Sequence, residues 1–182
     1  MAFIQALEET IKNEYLDLTT APLTETESGA TCTNINLSIA GKKAFFKPTS
    51  GDEMFPFFKS REHLKVMCEK ILFLEEDREK KVFVLCFELK SNNSGEAIKQ
   101  MNAARIFAQF IFDTTKRVSH NTIGGCTPEF RGVVFSDMRP PVLKGTTNSR
   151  VRVPYIEDTA TGLKYYMKKS SQSAFDVAEF CN

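Results

Sequence analysis

Little in this sequence is in excess. Its 24 basic and 23 acidic side chains leave a formal net charge of +1, so no whole-molecule field draws it toward anions, and an anionic partner has to be met by a local basic patch. No stretch approaches the roughly 18 consecutive apolar residues of a membrane span. The opening MAFIQALEETIKNEYLDL has no basic segment followed by a long apolar run, so no export signal is expected there. The five cysteines, Cys32, Cys68, Cys86, Cys126 and Cys181, are odd in number and form no CxxC pair. That speaks against a disulfide framework or a zinc site and for free thiols in a reducing compartment. We therefore expect a cytoplasmic protein. The two histidines, His63 and His120, have no partner spacing for zinc or nucleophilic chemistry. TIGGCTPEFRG lacks the GK[ST] ending of a phosphate-binding loop. There is no internal repeat and no low-complexity segment.

What is present is an ordinary globular composition. A chain of 182 residues, 42% hydrophobic and 26% charged, suits one well-buried core, and we expect a single domain over residues 1–182. Phe3, Ile4, Leu7, Ile11, Tyr15 and Leu18 recur at intervals of three and four, which predicts an amphipathic helix over residues 2–18. CTNINLSIA and KAFFK read as strands joined by a turn at Gly41, and PTSGDEMFPFF as an irregular loop or edge. CEKILFLEED and KKVFVLCFELK are β-rich runs flanking a charged EEDREKK, the pattern of an antiparallel hairpin. SNNSG then supplies a turn with Ser94 as a helix N-cap. Ile98, Met101, Ala104, Ala108, Ile111 and Phe112 mark a helix over residues 95–116. FRGVVFS is a further strand, RVRVPYIED and LKYYMKK a pair around TATG, and AFDVAEF a short closing helix.

The informative stretch is VFVLCFELKS. Side chains alternate across a strand, so Val82, Val84, Cys86, Glu88 and Lys90 share one face and Phe83, Leu85, Phe87 and Leu89 the other. A strand built for the core thus ends in a carboxylate and an ammonium projecting together. If the hairpin closes across EEDREKK, Glu69 lies on the same side at the same end, and two carboxylates converge with one lysine. Hard divalent cations such as Mg²⁺ or Mn²⁺ take such oxygen ligands together with water and substrate phosphate. A lysine beside them can orient the attacking water and offset phosphate charge. The chemistry this suits is phosphodiester hydrolysis.

Hairpin, ExK and following helix together resemble the PD-(D/E)XK nuclease superfamily. The resemblance implies an α/β, restriction-endonuclease-like core: a mixed central sheet flanked by helices, over residues 2 to about 136, with a C-terminal β/α addition over about 137–182. It matches Glu88 and Lys90 to the ExK acid and lysine and Glu69, in CEKILFL, to the preceding metal-binding acid. Gln100 resembles the glutamine of the RecB-like branch, and Glu8, Glu9 or Glu14 would supply a first-helix acid. The sequence has Glu where the family usually has Asp, and no Pro-Asp dipeptide. The expected activity is that of a Mg²⁺- or Mn²⁺-dependent nuclease, a phosphodiesterase acting on DNA or RNA. Glu69 and Glu88 would bind the metal, Lys90 position the water, and Gln100 steady the site. The lysines of GKKAFFKP and YYMKKSSQ, interleaved with aromatics, are candidates for contacting phosphates and bases. The rival readings are a catalytically inactive binding or regulatory subunit on the same fold, working with a protein partner or as a homodimer, and an unrelated α/β interaction module.

Overall fold

The computed structural model describes residues 2–19, 22–24, 34–48, 58–59, 66–76, 80–90, 94–119, 123–137 and 155–181. Its helices are α1 (Phe3–Thr10) and α2 (Ser94–Val118), with 3₁₀ turns at Asn13–Tyr15 and Val177–Phe180. Its strands are β1 (Leu16–Asp17), β2 (Asn36–Ser38), β3 (Lys43–Phe46), β4 (Lys70–Glu76), β5 (Lys81–Lys90), β6 (Thr127–Ser136), β7 (Ile156–Glu157), β8 (Lys164–Lys169) and β9 (Ala174–Asp176). Seven of them form a mixed sheet in the order β1-β3-β4-β5-β6-β8-β7, and β2 and β9 form a separate parallel pair.

The hairpin is the centre of this sheet. β4 and β5 pair antiparallel from Lys70↔Phe87 to Glu76↔Lys81. β5 then pairs parallel with β6, and β6 parallel with β8. A parallel pair requires a crossover, which α2 supplies. Val82 to Leu89 are all buried, as a strand covered on both faces demands. On one face Ile71, Phe73, Val82, Val84 and Cys86 pack under α1 and α2. On the other, Leu72, Leu85, Phe87, Leu89 and Phe135 pack against Leu37, Phe175 and Phe180 from β2, β9 and the last 3₁₀ turn.

α2 presents Ala97, Met101, Ala104, Ala108, Ile111 and Phe112 to the sheet, a stripe whose alanines let the helix come close. Lys116 and Arg117 in its last turn complement the negative end of the helix dipole. The approach is tightest at Gly132 of β6, where a Cβ would fall 2.6 Å from Met101 Sδ and 2.9 Å from Tyr165 Cβ.

Two expectations are revised by tertiary contacts. The first helix ends at Thr10 rather than Leu18, because Leu16 and Asp17 leave it to pair with Phe46 and Phe45 of β3. Tyr15 stacks on Phe46 with ring centroids 6.1 Å apart; strand pairing and aromatic packing outweigh the helical periodicity. β2 does not pair with β3 across Gly41, although that glycine does turn the chain, at φ +97°; β2 pairs with β9 instead, where Leu37 lies opposite Phe175. AFDVAEF is divided between β9 and the closing 3₁₀ turn. The TATG turn joins β7 and β8 as expected, with the Gly162 N–H donating to the Asp158 carbonyl at 2.7 Å. Cys32, His63, His120, most of PTSGDEMFPFF and the side chain of Ser94 lie outside the described residues. No helix among the described residues is long and apolar enough to cross a membrane.

Candidate active site

The register of the hairpin sets the geometry. The ladder ends at Lys70↔Phe87; Glu69 forms a bend just before β4, and both its charge and its backbone N–H act on Glu88. Glu88 is on the face under the helices, since Cys86, two residues earlier on β5, and its partner Ile71 belong to the core with α2. Met101 stands over Gly132, which pairs with Cys86. α2 runs back against β5, and one helical turn covers about the length of two strand residues. Ala97 therefore comes to the level of Glu88, and its methyl leaves the carboxylate room.

Glu88 is 1% exposed. The Lys90 ammonium lies 2.9 Å from its Oε1, yet neither carboxylate oxygen receives a hydrogen bond of normal geometry among the described residues. The contact with Lys90 is ionic. Burial pushes the Glu88 carboxyl up to about 7, and the charge of Glu69 pushes the same way, while Lys90 and the Glu69 backbone N–H oppose the rise. The half-buried Glu69 thus acts electrostatically on Glu88. The two cysteines nearby belong to the same cluster. Burial pushes the Cys68 thiol well up, with Cys86, Glu88 and Glu69 adding to the rise, and its Sγ donates to the Lys70 carbonyl at 3.3 Å. Both thiols are buried and line the site, and the raised Cys68 thiol is a poor nucleophile.

Glu69, Glu88 and Lys90 thus meet at the end of β5. Gln100 lies on the covering helix one residue before Met101, and its Oε1 is buried without a hydrogen-bond partner. The first-helix acids stand apart: Glu8, Glu9 and Glu14 are exposed, and Glu14 faces Lys12 at 3.7 Å. The acid that serves α1 is Glu75 of β4, whose carboxylate accepts from the N–H groups of Phe3 and Ile4 at 3.1 and 3.4 Å. Sequence reasoning missed this cap and the packing of Cys68 beside the carboxylates. The second had a visible signal, since Cys68 precedes Glu69 and Cys86 shares the strand face of Glu88. Among the described residues no group of three or more His, Cys, Asp or Glu side chains is gathered to hold a metal, so Glu69 and Glu88 stand as a pair. No family model, curated protein or solved structure matches the chain.

Proposed function

We propose that this chain is a divalent-metal-dependent nuclease of restriction-endonuclease-like fold that hydrolyses phosphodiester bonds of DNA or RNA. The observation that carries the reading is Glu88: a buried carboxylate with both oxygens lacking normal hydrogen bonds, a lysine at 2.9 Å, and a second carboxylate, Glu69, whose charge acts on it. A buried anion is costly unless something completes its coordination. A pair of carboxylates suits a hard cation, with water and substrate phosphate supplying the other ligands. The order of helix, antiparallel strands, helix and parallel strand also agrees with the superfamily core.

In this reading Glu69 and Glu88 would hold Mg²⁺ or Mn²⁺, which when bound polarises the phosphoryl oxygen and acidifies water. The chain's own residues do the rest. Lys90 holds the attacking water by hydrogen bonding and offsets phosphate charge, Ala97 and Cys86 wall the carboxylate off from solvent, and Gln100 offers an amide from the helix above. The test is cleavage of single- and double-stranded DNA and RNA with Mg²⁺ or Mn²⁺, stopped by EDTA, in wild type and Lys90→Ala. Wild type should cleave; the variant should bind metal in calorimetry and fail to cleave. If both are silent, the reading passes to a binding or regulatory subunit on the same fold. Equal cleavage by both would place the activity elsewhere.

A further inference from the structure

The ExK end of β5 continues across the sheet. Lys90 pairs with Ser136 of β6, and Ser136 with Lys169 of β8, so the three form one cross-strand row. All three face the helix side: Val134 and Met167, two residues earlier on their strands, pack into the core beneath α1 and α2. The next lysine back, Lys168, faces the other way, over the rings of Phe175 and Phe180 and bonded to Glu179 at 2.7 Å. Lys169 is exposed, and no ion pair engages it among the described residues. Between the two lysines Ser136 is small and buried, so nothing bulky rises between their side chains.

Neighbouring strands lie about 4.8 Å apart, which puts the backbones at Lys90 and Lys169 roughly 10 Å from one another. β5, β6 and β8 are parallel and end together at this edge, and α2 begins there, at Ser94. Its N-terminal end adds a favourable dipole for anions. Countercharge nearby comes from Glu88, 2.9 Å from Lys90, from Glu96 in the first turn of α2, and from Asp137, just past the end of β6, which accepts a hydrogen bond from Ser170 Oγ.

Resting on the nuclease reading of Glu69, Glu88 and Lys90, we propose that Lys90, Ser136 and Lys169 form the track for the substrate's sugar-phosphate backbone. One nucleic-acid strand would lie across the ends of β5, β6 and β8, with its scissile phosphate at Lys90 and a neighbouring phosphate of the same strand on Lys169. Lys169 is then a binding residue that carries no sequence information, because phosphate contacts position and base contacts specify.

The experiment measures binding of short mixed-sequence oligonucleotides, single-stranded and duplex, across a salt series with EDTA present so that nothing is cleaved. Lys169→Ala should weaken binding to the same degree for every sequence. It should flatten the slope of log K against log salt by about 0.7 for single strands or about 0.9 for duplex, the loss of one phosphate contact. Its melting temperature and its metal binding should match wild type. Lys164→Ala is the charge-matched control: Lys164 lies at the other end of β8, 4.8 Å from the ring centre of Tyr155, and its loss should leave the slope unchanged. Wild-type binding with an unchanged slope in Lys169→Ala, or an equal change in Lys164→Ala, overturns the track and leaves the metal site standing. If wild type binds no nucleic acid at all, the track and the nuclease reading fail together.

Discussion

Glu75 caps α1 from 72 residues away: its Oε1 accepts the Phe3 N–H at 3.1 Å, and its Oε2 the Ile4 N–H at 3.4 Å. The helix has no capping side chain of its own, because Ala2 holds the N-cap position. A strand carboxylate therefore satisfies two N–H groups that would otherwise lack partners, and it faces the positive end of the helix dipole. Glu75→Ala should lower stability by about 1 kcal/mol in chemical denaturation. Glu75→Gln should recover part of that loss. Equal stability of Glu75→Ala and wild type would show that α1 is held by its buried apolar face alone.

Glu88 makes stability depend on pH in a direction opposite to that of most carboxylates. Its folded carboxyl titrates at about 7 against an ordinary 4.5, so between those values the folded chain keeps a proton that the unfolded chain has released. The stability this confers is whole below about pH 4.5 and is lost as pH rises through 7, a change of about 3 kcal/mol. Glu88→Gln removes the dependence and should gain on wild type from about pH 5 to about pH 8. Denaturation curves measured across that range that differ by a constant offset would refute this account.

Lys90→Met tests the partner of that carboxylate. Below the Glu88 titration the carboxyl is neutral and Lys90 matters little to it. Above it the variant leaves a buried anion without its cation at 2.9 Å. The expected cost is on the order of 1–3 kcal/mol near pH 8 and smaller near pH 5, read from melting temperatures at the two values. A cost that does not change with pH would assign Lys90 a packing role instead.

Gly132→Ala tests the contact that sets the height of α2 over the sheet. The added methyl would fall 2.6 Å from Met101 Sδ and 2.9 Å from Tyr165 Cβ. The Met101 side chain can move; the Tyr165 Cβ, fixed by its strand, cannot. We expect a loss of about 1–3 kcal/mol, only partly recovered in the double variant Gly132→Ala with Met101→Ala. Full recovery would mean that Met101 is the whole obstacle and that the strands can adjust.

The hairpin, the long helix and the ExK pair were legible in the sequence because each rests on local period. Alternation placed Glu88 and Lys90 on one face, and the spacing from Ala97 to Phe112 marked the buried side of α2. The antiparallel pairing of the two runs was legible too, from the charged segment between them. Contacts between distant segments were not legible. Nothing local tells that Leu16 abandons a helical pattern for β3, that β2 joins β9, or that Glu75 reaches the start of α1. The row from Lys90 to Lys169 belongs to the same class: two lysines 79 positions apart become neighbours only when two parallel pairings are in register.

The β2–β9 ladder has a consequence for synthesis. Asn36 pairs with Ala174 and Ser38 with Asp176, so β2 has no partner until synthesis has passed residue 176. The core face of Leu72, Leu85, Phe87 and Phe135, which this ladder covers, stays open for the same interval. The hairpin and α2 can assemble from contacts close in sequence, whereas this face closes last and is the one exposed to misassociation while translation continues. A holdase that binds apolar surface would find its substrate there, on nascent chains that stop short of Phe175 and no longer on those that include it.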